Sequence, residues 1–330
     1  MLFSIIIPVY NRPHELEELL ESITRQQGNV PLEVIVVEDG SDTTSEKIVN
    51  QYEETLNIKY CFKQNSGPGD SRNYGMRRSS GTYFLLLDSD CLLPKDYLSK
   101  VSAALQIKFT DAFGGPDAAH PSFSMNQKAF NYAMTSLLST GGLRSSESEK
   151  RKFQLRSFNM GISSRAFELT GGFGKQRIGE DIDLNFRLLE KNLSTQFLPE
   201  AYVYHKRRST WVQFFRQTRS FGAARPILNR MHPGTAKFTY ALPSLFVLGL
   251  VSSIVLAFFD FPFLLIPFAV YFLAVLADST RLNRNPIVGF LSCIAVFVQF
   301  LGYGSGYLRT EFRMRIQGMS SKEAFPEMFA

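Results

Sequence analysis

Three stretches near the end of this 330-residue chain contain no Asp, Glu, Lys or Arg: Ala241–Phe259, Phe261–Ala277 and Ile287–Leu308, of 19, 17 and 22 residues. At about 1.5 Å of rise per residue, helices of those lengths reach roughly 25–33 Å, the thickness of a bilayer's hydrocarbon core. The last quarter therefore reads as membrane-embedded, and a wholly soluble fold is not expected. Asp260-Phe-Pro262 leaves room only for a tight hairpin, so the first two spans run out and back. Arg281 and Arg284 then lie inside, as the distribution of basic residues around spans prefers. A third full crossing puts Arg309, Arg313 and Arg315 outside, against that rule. The third segment thus either crosses despite its basic tail, or is re-entrant or packed in the interface, as Gln299 and the Gly302–Gly306 run allow.

Charge sharpens the boundary. Residues 201–240 hold 8 basic residues (Lys206, Arg207, Arg208, Arg216, Arg219, Arg225, Arg230 and Lys237) and no acidic one. Up to Glu200 the balance is 22 basic against 25 acidic, so the net +6 of the whole chain comes from this collar and the residues beyond it. A basic collar before a span suits anionic headgroups or a phosphate-bearing substrate better than nucleic acid, and places the preceding region on the cytoplasmic side. Cys61, Cys91 and Cys293 are odd in number and widely spaced, which fits a reducing compartment and neither a disulfide framework nor a zinc site. The apolar run Leu2–Val9 has no basic stretch before it and ends in Pro-Val-Tyr-Asn; it reads as a strand, not a signal peptide.

Phe3–Pro8 and Leu32–Val37 are continuously apolar, the pattern of strands buried on both faces, and Ile58–Phe62 and Thr82–Leu87 follow. Helices are expected after Asn11-Arg-Pro, around Ser45–Tyr52 and around Ser71–Arg78. Strands alternating with helices predict a parallel sheet with ligands at the carboxyl ends of its strands. Further along, Phe109–Gly114 and Phe158–Ile162 read as strands, Ser122–Leu138 and Ile182–Leu189 as helices, Gln196–Tyr204 as a strand and Thr140–Lys152 as a loop. Trp211, Phe214, Phe215, Thr218 and Phe221 follow helical spacing; the expected element is an interfacial helix on the membrane, with an ordinary core helix as the alternative.

The polar clusters fall at the strand ends. Asp88-Ser-Asp90 can place carboxylate oxygens on Mg²⁺ or Mn²⁺ and on a ribose hydroxyl, or cap the next helix. Asp39-Gly-Ser-Asp42 can accept from a base or ribose edge, or simply turn. Gly67-Pro-Gly-Asp-Ser-Arg72 joins a glycine-rich loop to a helix start, a place suited to a diphosphate. In Gly179-Glu180-Asp181 a carboxylate at a helix's first turn is a cap or a general base. His205, at the end of the last strand, is a structural histidine or a further metal ligand.

Taken in order, Ile-Pro-Val-Tyr-Asn11, Val-Val-Glu-Asp39-Gly-Ser, Gly-Pro-Gly-Asp-Ser-Arg72-Asn73, Leu-Asp88-Ser-Asp90, Gly171-Gly-Phe173 and Gly-Glu-Asp181 closely resemble glycosyltransferase family 2 over about Phe3–His205, and the collar and apolar tail resemble its membrane-anchored branch. The resemblance implies an inverting enzyme of the GT-A fold, α/β with a Rossmann-like, mostly parallel sheet. The expected plan is a cytoplasmic catalytic domain over 1–205, a basic interfacial segment over 206–240, two or three spans over 241–308 and a tail over 309–330, in a multi-pass protein of the inner membrane. It implies that Pro8, Tyr10 and Asp39 hold the nucleotide base, with Val9 and Asn11 beside them. Asp88 and Ser89 would take the ribose, Arg72 the donor's diphosphate, and Asp90 with His205 a Mn²⁺ or Mg²⁺. Asp181, next to Glu180, would be the catalytic base. The donor is a nucleotide-diphosphate sugar, a UDP-sugar by default, and the acceptor a lipid-linked saccharide or polyprenyl phosphate.

Two departures bear on these expectations. Glu38 and Asp70 stand where the family often has Asp and a small residue, which leaves the donor open. Processive synthases carry Gln-x-x-Arg-Trp; here Gln213-Phe-Phe-Arg216 ends in Gln217, although Trp211, Gln213, Arg216 and Gln217 remain acceptor-side candidates. Single-sugar transfer is therefore expected over processive extrusion. A non-catalytic sugar-nucleotide scaffold is the rival reading. A transporter is disfavoured, because Asp260 and Asp278 lie at span ends and mark no intramembrane path.

Overall fold

The computed structural model describes residues 1–141, 154–206 and 208–329. Most of the loop expected over Thr140–Lys152, and Arg207 of the collar, lie outside the described residues. In chain order the elements are β1 (Phe3–Val9), α1 (Pro13–Thr24), β2 (Leu32–Asp39), α2 (Glu46–Asn50), β3 (Ile58–Lys63), α3 (Pro68–Arg78), β4 (Tyr83–Leu87), β5 (Cys91–Leu92), α4 (Tyr97–Ile107), β6 (Ala112–Gly114) and β7 (Asp117–Ala118). They continue with α5 (Met125–Thr135), α6 (Leu137–Thr140), β8 (Asn159–Ser163), α7 (Ser164–Thr170), α8 (Glu180–Glu190), β9 (Thr195–Phe197), β10 (Val203–His205), α9 (Trp211–Met231), α10 (Leu242–Ala257), α11 (Ile266–Asn283) and α12 (Pro286–Arg315). The chain divides into two compact units, Met1–His120 with Leu143–Lys206, and Pro121–Gly142 with Arg207–Ala330.

The first unit is a GT-A-like α/β fold. Its seven-stranded sheet runs β3-β2-β1-β4-β8-β6-β9. β3, β2, β1 and β4 are parallel, and β8 is antiparallel to both β4 and β6. Alternation puts Phe3, Ile5, Ile7 and Val9 of β1 into one core, with α1 and α4, and Ile6 into the other, with Met76 and Leu184. That two-sided burial is why β1 and β2 read as unbroken apolar runs. The strand expected over Gln196–Tyr204 is two: β9 joins the main sheet, Leu198-Pro199-Glu200 breaks the ladder, and β10 enters a small sheet ordered β5-β10-β7. Proline lacks the N–H that a continuous strand would require there.

The second unit is helical and built around α12. The helix expected over Ser122–Leu138 divides into α5 and α6 at Ser136, whose backbone is extended and whose side chain caps α6. The third apolar segment is one uninterrupted helix of 30 residues rather than a broken, re-entrant one. Glycines on both helices let α9 and α12 approach closely: a Cβ on Gly306 of α12 would lie 2.1 Å from the Arg219 carbonyl oxygen, and one on Gly222 of α9 2.0 Å from that of Tyr303. The apolar face of α9 is correspondingly covered by protein. Phe214 stacks on Phe130 of α5 at 4.4 Å, Trp211 meets Phe130 edge-on, and Thr218 is buried beside Gly302. Apolar spacing records that a face is covered but not whether lipid or protein covers it, and here α5 and α12 do. Gln213 and Arg216 are exposed and Gln217 is half-buried. Among the described residues two helices, spanning 262–283 and 286–315, are long and apolar enough to cross a membrane, whereas α10 has 16 residues. Only 11% of the apolar window of the first is buried, against 50% for the second.

Candidate active site

The small sheet explains how two distant polar residues meet. β10 pairs antiparallel with β5 so that His205 lies opposite Cys91, next to Asp90 at the end of the β4 turn. His205 Nε2 consequently stands 3.2 Å from Asp90 Oδ1, an oxygen that is buried and accepts no hydrogen bond among the described residues. On the other side of the imidazole, Nδ1 faces the buried Asp117 Oδ2 at 3.8 Å, and the ring stacks on Phe158. A ring nitrogen and a carboxylate oxygen converging in front of a carboxylate-backed histidine fit a divalent cation once the imidazole gives up its proton. Cys91 Sγ lies within the same cluster but does not fit: it faces the Phe158 carbonyl, and burial raises its thiol well above the usual range, so it stays protonated. Burial works against charge on Asp90, yet His205 and Arg12 outweigh it and hold the carboxyl well below its ordinary range.

Asp39, ending β2, is nearly buried and already well supplied with donors. Oδ1 accepts from Lys63 Nζ at 2.6 Å and from the Ser66 N–H at 2.9 Å, and Oδ2 from the Gly67 N–H at 2.9 Å. Gly67 has φ of +95°, and Arg177 lies against the position a Cβ would take, so glycine is required in this turn. Asn11 also occupies the left-handed region, at φ +53°, with its Oδ1 accepting from the Asp42 and Thr43 N–H groups. That ties the end of β1 to the Asp39–Asp42 turn and leaves Tyr10 exposed beside the half-buried Pro8 and the buried Val9. Glu38 points elsewhere: it is fully buried and accepts from Ser41 Oγ and the Ser45 N–H.

Arg72 sits differently from a diphosphate clamp. It is buried, and its guanidinium donates to Asp88 Oδ1 at 2.5 Å and to Glu180 Oε1 at 3.2 Å, with the Phe173 ring 5.3 Å away. This link joins the Asp88-Ser-Asp90 turn to the first turn of α8, so the two carboxylate clusters belong to one site. Asp181 Oδ1 accepts from the Ile182 N–H at 2.8 Å, while Oδ2 faces Arg156 at 3.6 Å. Ser89 is buried behind Asp88.

Glu180 is buried, and desolvation together with neighbouring Asp181 raises its pKa above the ordinary 4.5 although Arg72 opposes the shift. Folding therefore favours the protonated form; the stability this contributes is complete at acid pH and is lost as pH rises through the raised value. Melting temperatures of the wild type should fall more steeply than those of Glu180→Gln between about pH 5 and 8. Parallel curves would show that Glu180 does not take up a proton on folding.

Arg12, Lys63, Arg156 and Asp117 belong to the site but not to the expected set. Lys63 ends β3 at the same sheet edge as Asp39, a position that could have singled it out. The others are brought in by tertiary pairing alone.

Residues 4–164 match the family described as Glycosyl transferase family 2. The poly(ribitol-phosphate) beta-N-acetylglucosaminyltransferase TarS of Staphylococcus aureus (strain Mu50) is 35% identical over 114 residues, which is 34% of this chain and 20% of that protein. The chain spans a quarter or less of the length of the curated relatives it matches. Two solved structures share the fold. The mannosyltransferase PcManGT from Pyrobaculum calidifontis, in complex with GDP-Man and Mn²⁺, has a TM-score of 0.55 at 16% identity, covering 91% of this chain and 86% of that one. S. aureus TarS in complex with UDP-GlcNAc has a TM-score of 0.50 at 20% identity, covering 97% and 93%. Residues 4–164, just under half of the chain, thus form a glycosyltransferase family 2 region.

Proposed function

We propose that this protein is a metal-dependent, inverting glycosyltransferase that moves one sugar from a nucleotide-diphosphate donor to a membrane-associated acceptor. The observation that carries the reading is the Arg72 link, which sets a cation-fitting Asp90–His205 pair and the Asp181 carboxylate on one continuous framework. Pro8, Tyr10 and Asp39 line the base end and Asp88 meets the ribose. Asp90 and His205 would hold a Mn²⁺ or Mg²⁺, which would supply positive charge to the departing diphosphate. Asp181 Oδ2 takes the proton of the acceptor hydroxyl as that oxygen attacks the anomeric carbon from the face opposite the diphosphate. One displacement inverts the centre, and no enzyme nucleophile is required. Glycosidases need a second carboxyl to protonate their leaving group; a diphosphate departs without one.

A UDP-sugar is the favoured donor, since the similar TarS is in complex with UDP-GlcNAc. The related names that include teichoic acid synthesis, with the charge-free helices and basic flank of this chain, favour a polyol-phosphate or lipid-linked acceptor at the inner face of the cell membrane. The test is a donor screen on detergent-purified protein, reading nucleotide diphosphate release with and without membrane lipid extract. Release from one donor, raised by lipid, is expected. Chelation should lower it at least about 100-fold, and added Mn²⁺ should restore it. Donor binding without release from any nucleotide sugar would instead favour a sugar-nucleotide-binding scaffold.

A further inference from the structure

Arg12 precedes α1 directly and is used by none of the roles above. Its guanidinium is ion-paired with Asp90 through Oδ2, while His205 faces Oδ1. The carboxylate that would hold a cation is thus flanked by a histidine at Oδ1 and a fixed positive charge at Oδ2. The arginine is only partly withdrawn from solvent, its side chain being 31% exposed, so it is free to leave. Its backbone is anchored on both sides: Asn11 is bound to the Asp39–Asp42 turn, and Pro13 opens the helix. A long side chain on a fixed base can exchange partners without moving the fold.

We infer that Arg12 is a positioning residue that neutralises the Asp90 carboxylate beside the cation's place and turns to the donor's diphosphate when the metal binds. This rests on the metal-dependent reading of the Asp90–His205 pair. The cause is electrostatic. A divalent cation on Oδ1 and a guanidinium on Oδ2 of one carboxylate repel each other strongly, so metal binding weakens the Arg12–Asp90 pair, and metal affinity is reduced while that pair is closed. Once released, the planar guanidinium stands beside the same metal site, where a diphosphate offers it bidentate acceptors. Empty, the site is kept neutralised and ordered. Loaded, it has two positive groups aimed at one leaving group.

The test is binding, not turnover. Mn²⁺ affinity is measured by titration with electron paramagnetic resonance on wild type, Arg12→Gln and Arg12→Lys, and UDP affinity at saturating Mn²⁺ by calorimetry on the same three. Arg12→Gln is expected to bind Mn²⁺ alone about 5- to 30-fold more tightly than wild type, and UDP about 10-fold more weakly. Arg12→Lys, which keeps the charge, should stay near wild type for Mn²⁺ and lose part of the UDP affinity. A merely structural arginine would weaken both ligands together or neither. Unchanged or weaker Mn²⁺ binding in Arg12→Gln, in a protein that melts as wild type does, overturns the inference. Mn²⁺ binding by none of the three, with UDP still bound, would overturn the metal reading itself and this inference with it.

Discussion

Asp181→Asn should abolish sugar transfer, lowering turnover by about 10²–10⁴-fold, the usual worth of a positioned general base. The substitution keeps the side chain's shape and the acceptor for the Ile182 N–H. What it removes is the ability of Oδ2 to take a proton, while Arg156 remains opposite it. Donor affinity should therefore change less than about threefold, because no donor contact is assigned to α8. The measurement is nucleotide release and product formation at saturating donor, beside donor binding by calorimetry. Turnover above a few per cent of wild type would remove Asp181 from the role of base and turn attention to Glu180.

Arg72→Met is expected to be the most damaging change to stability within the first unit. Arg72 is buried, and its charge is shared between Asp88 and Glu180. Methionine fills much of the volume but leaves Asp88 without its cation and Glu180 without its donor. Breaking a buried ion pair from one side typically costs about 3–5 kcal/mol, far more than the intact pair contributes net. The variant's melting temperature in detergent should drop by roughly 10 °C, and donor binding should weaken because Asp88 loses its anchor. Arg72→Met combined with Glu180→Gln should recover part of that loss, since one of the acidic groups left without a partner is gone. A double variant no more stable than the single one would show that the link to Glu180 carries little.

The residues at the strand ends were legible because of where strands end. Asp39, Asp88 and Asp90 follow apolar runs directly, and a parallel sheet brings such positions to one edge whatever else the chain does. His205 and Asp181 were legible as types at marked positions. Their partners were not: Arg12 lies 78 residues from Asp90, and Arg156 25 residues from Asp181, and which of many arginines reaches which carboxylate depends on packing between elements. Arg72 shows the same limit from the other direction. Its position at a glycine-rich helix start suggested a phosphate, but the buried surroundings give it carboxylates instead. Among the elements, α4 has a clear signal in Tyr97, Leu98, Val101 and Leu105 that the expected topology had no place for. The division of residues 196–204 turned on one proline. The role of α9 was ambiguous, since a stripe of aromatic side chains looks alike whether a membrane or another helix covers it.

The pairing of β10 with β5 sets a timetable for synthesis. Asp90 is made early, in the first third of the chain, and His205 only after all seven strands of the main sheet have been translated. Domains acquire structure in the order in which they leave the ribosome. A nascent chain thus possesses the main sheet, with Asp39 and Asp88 at its edge, before His205 can reach Asp90. The Asp90–His205 pair can close only once the small sheet forms, shortly before the charge-free helices are translated.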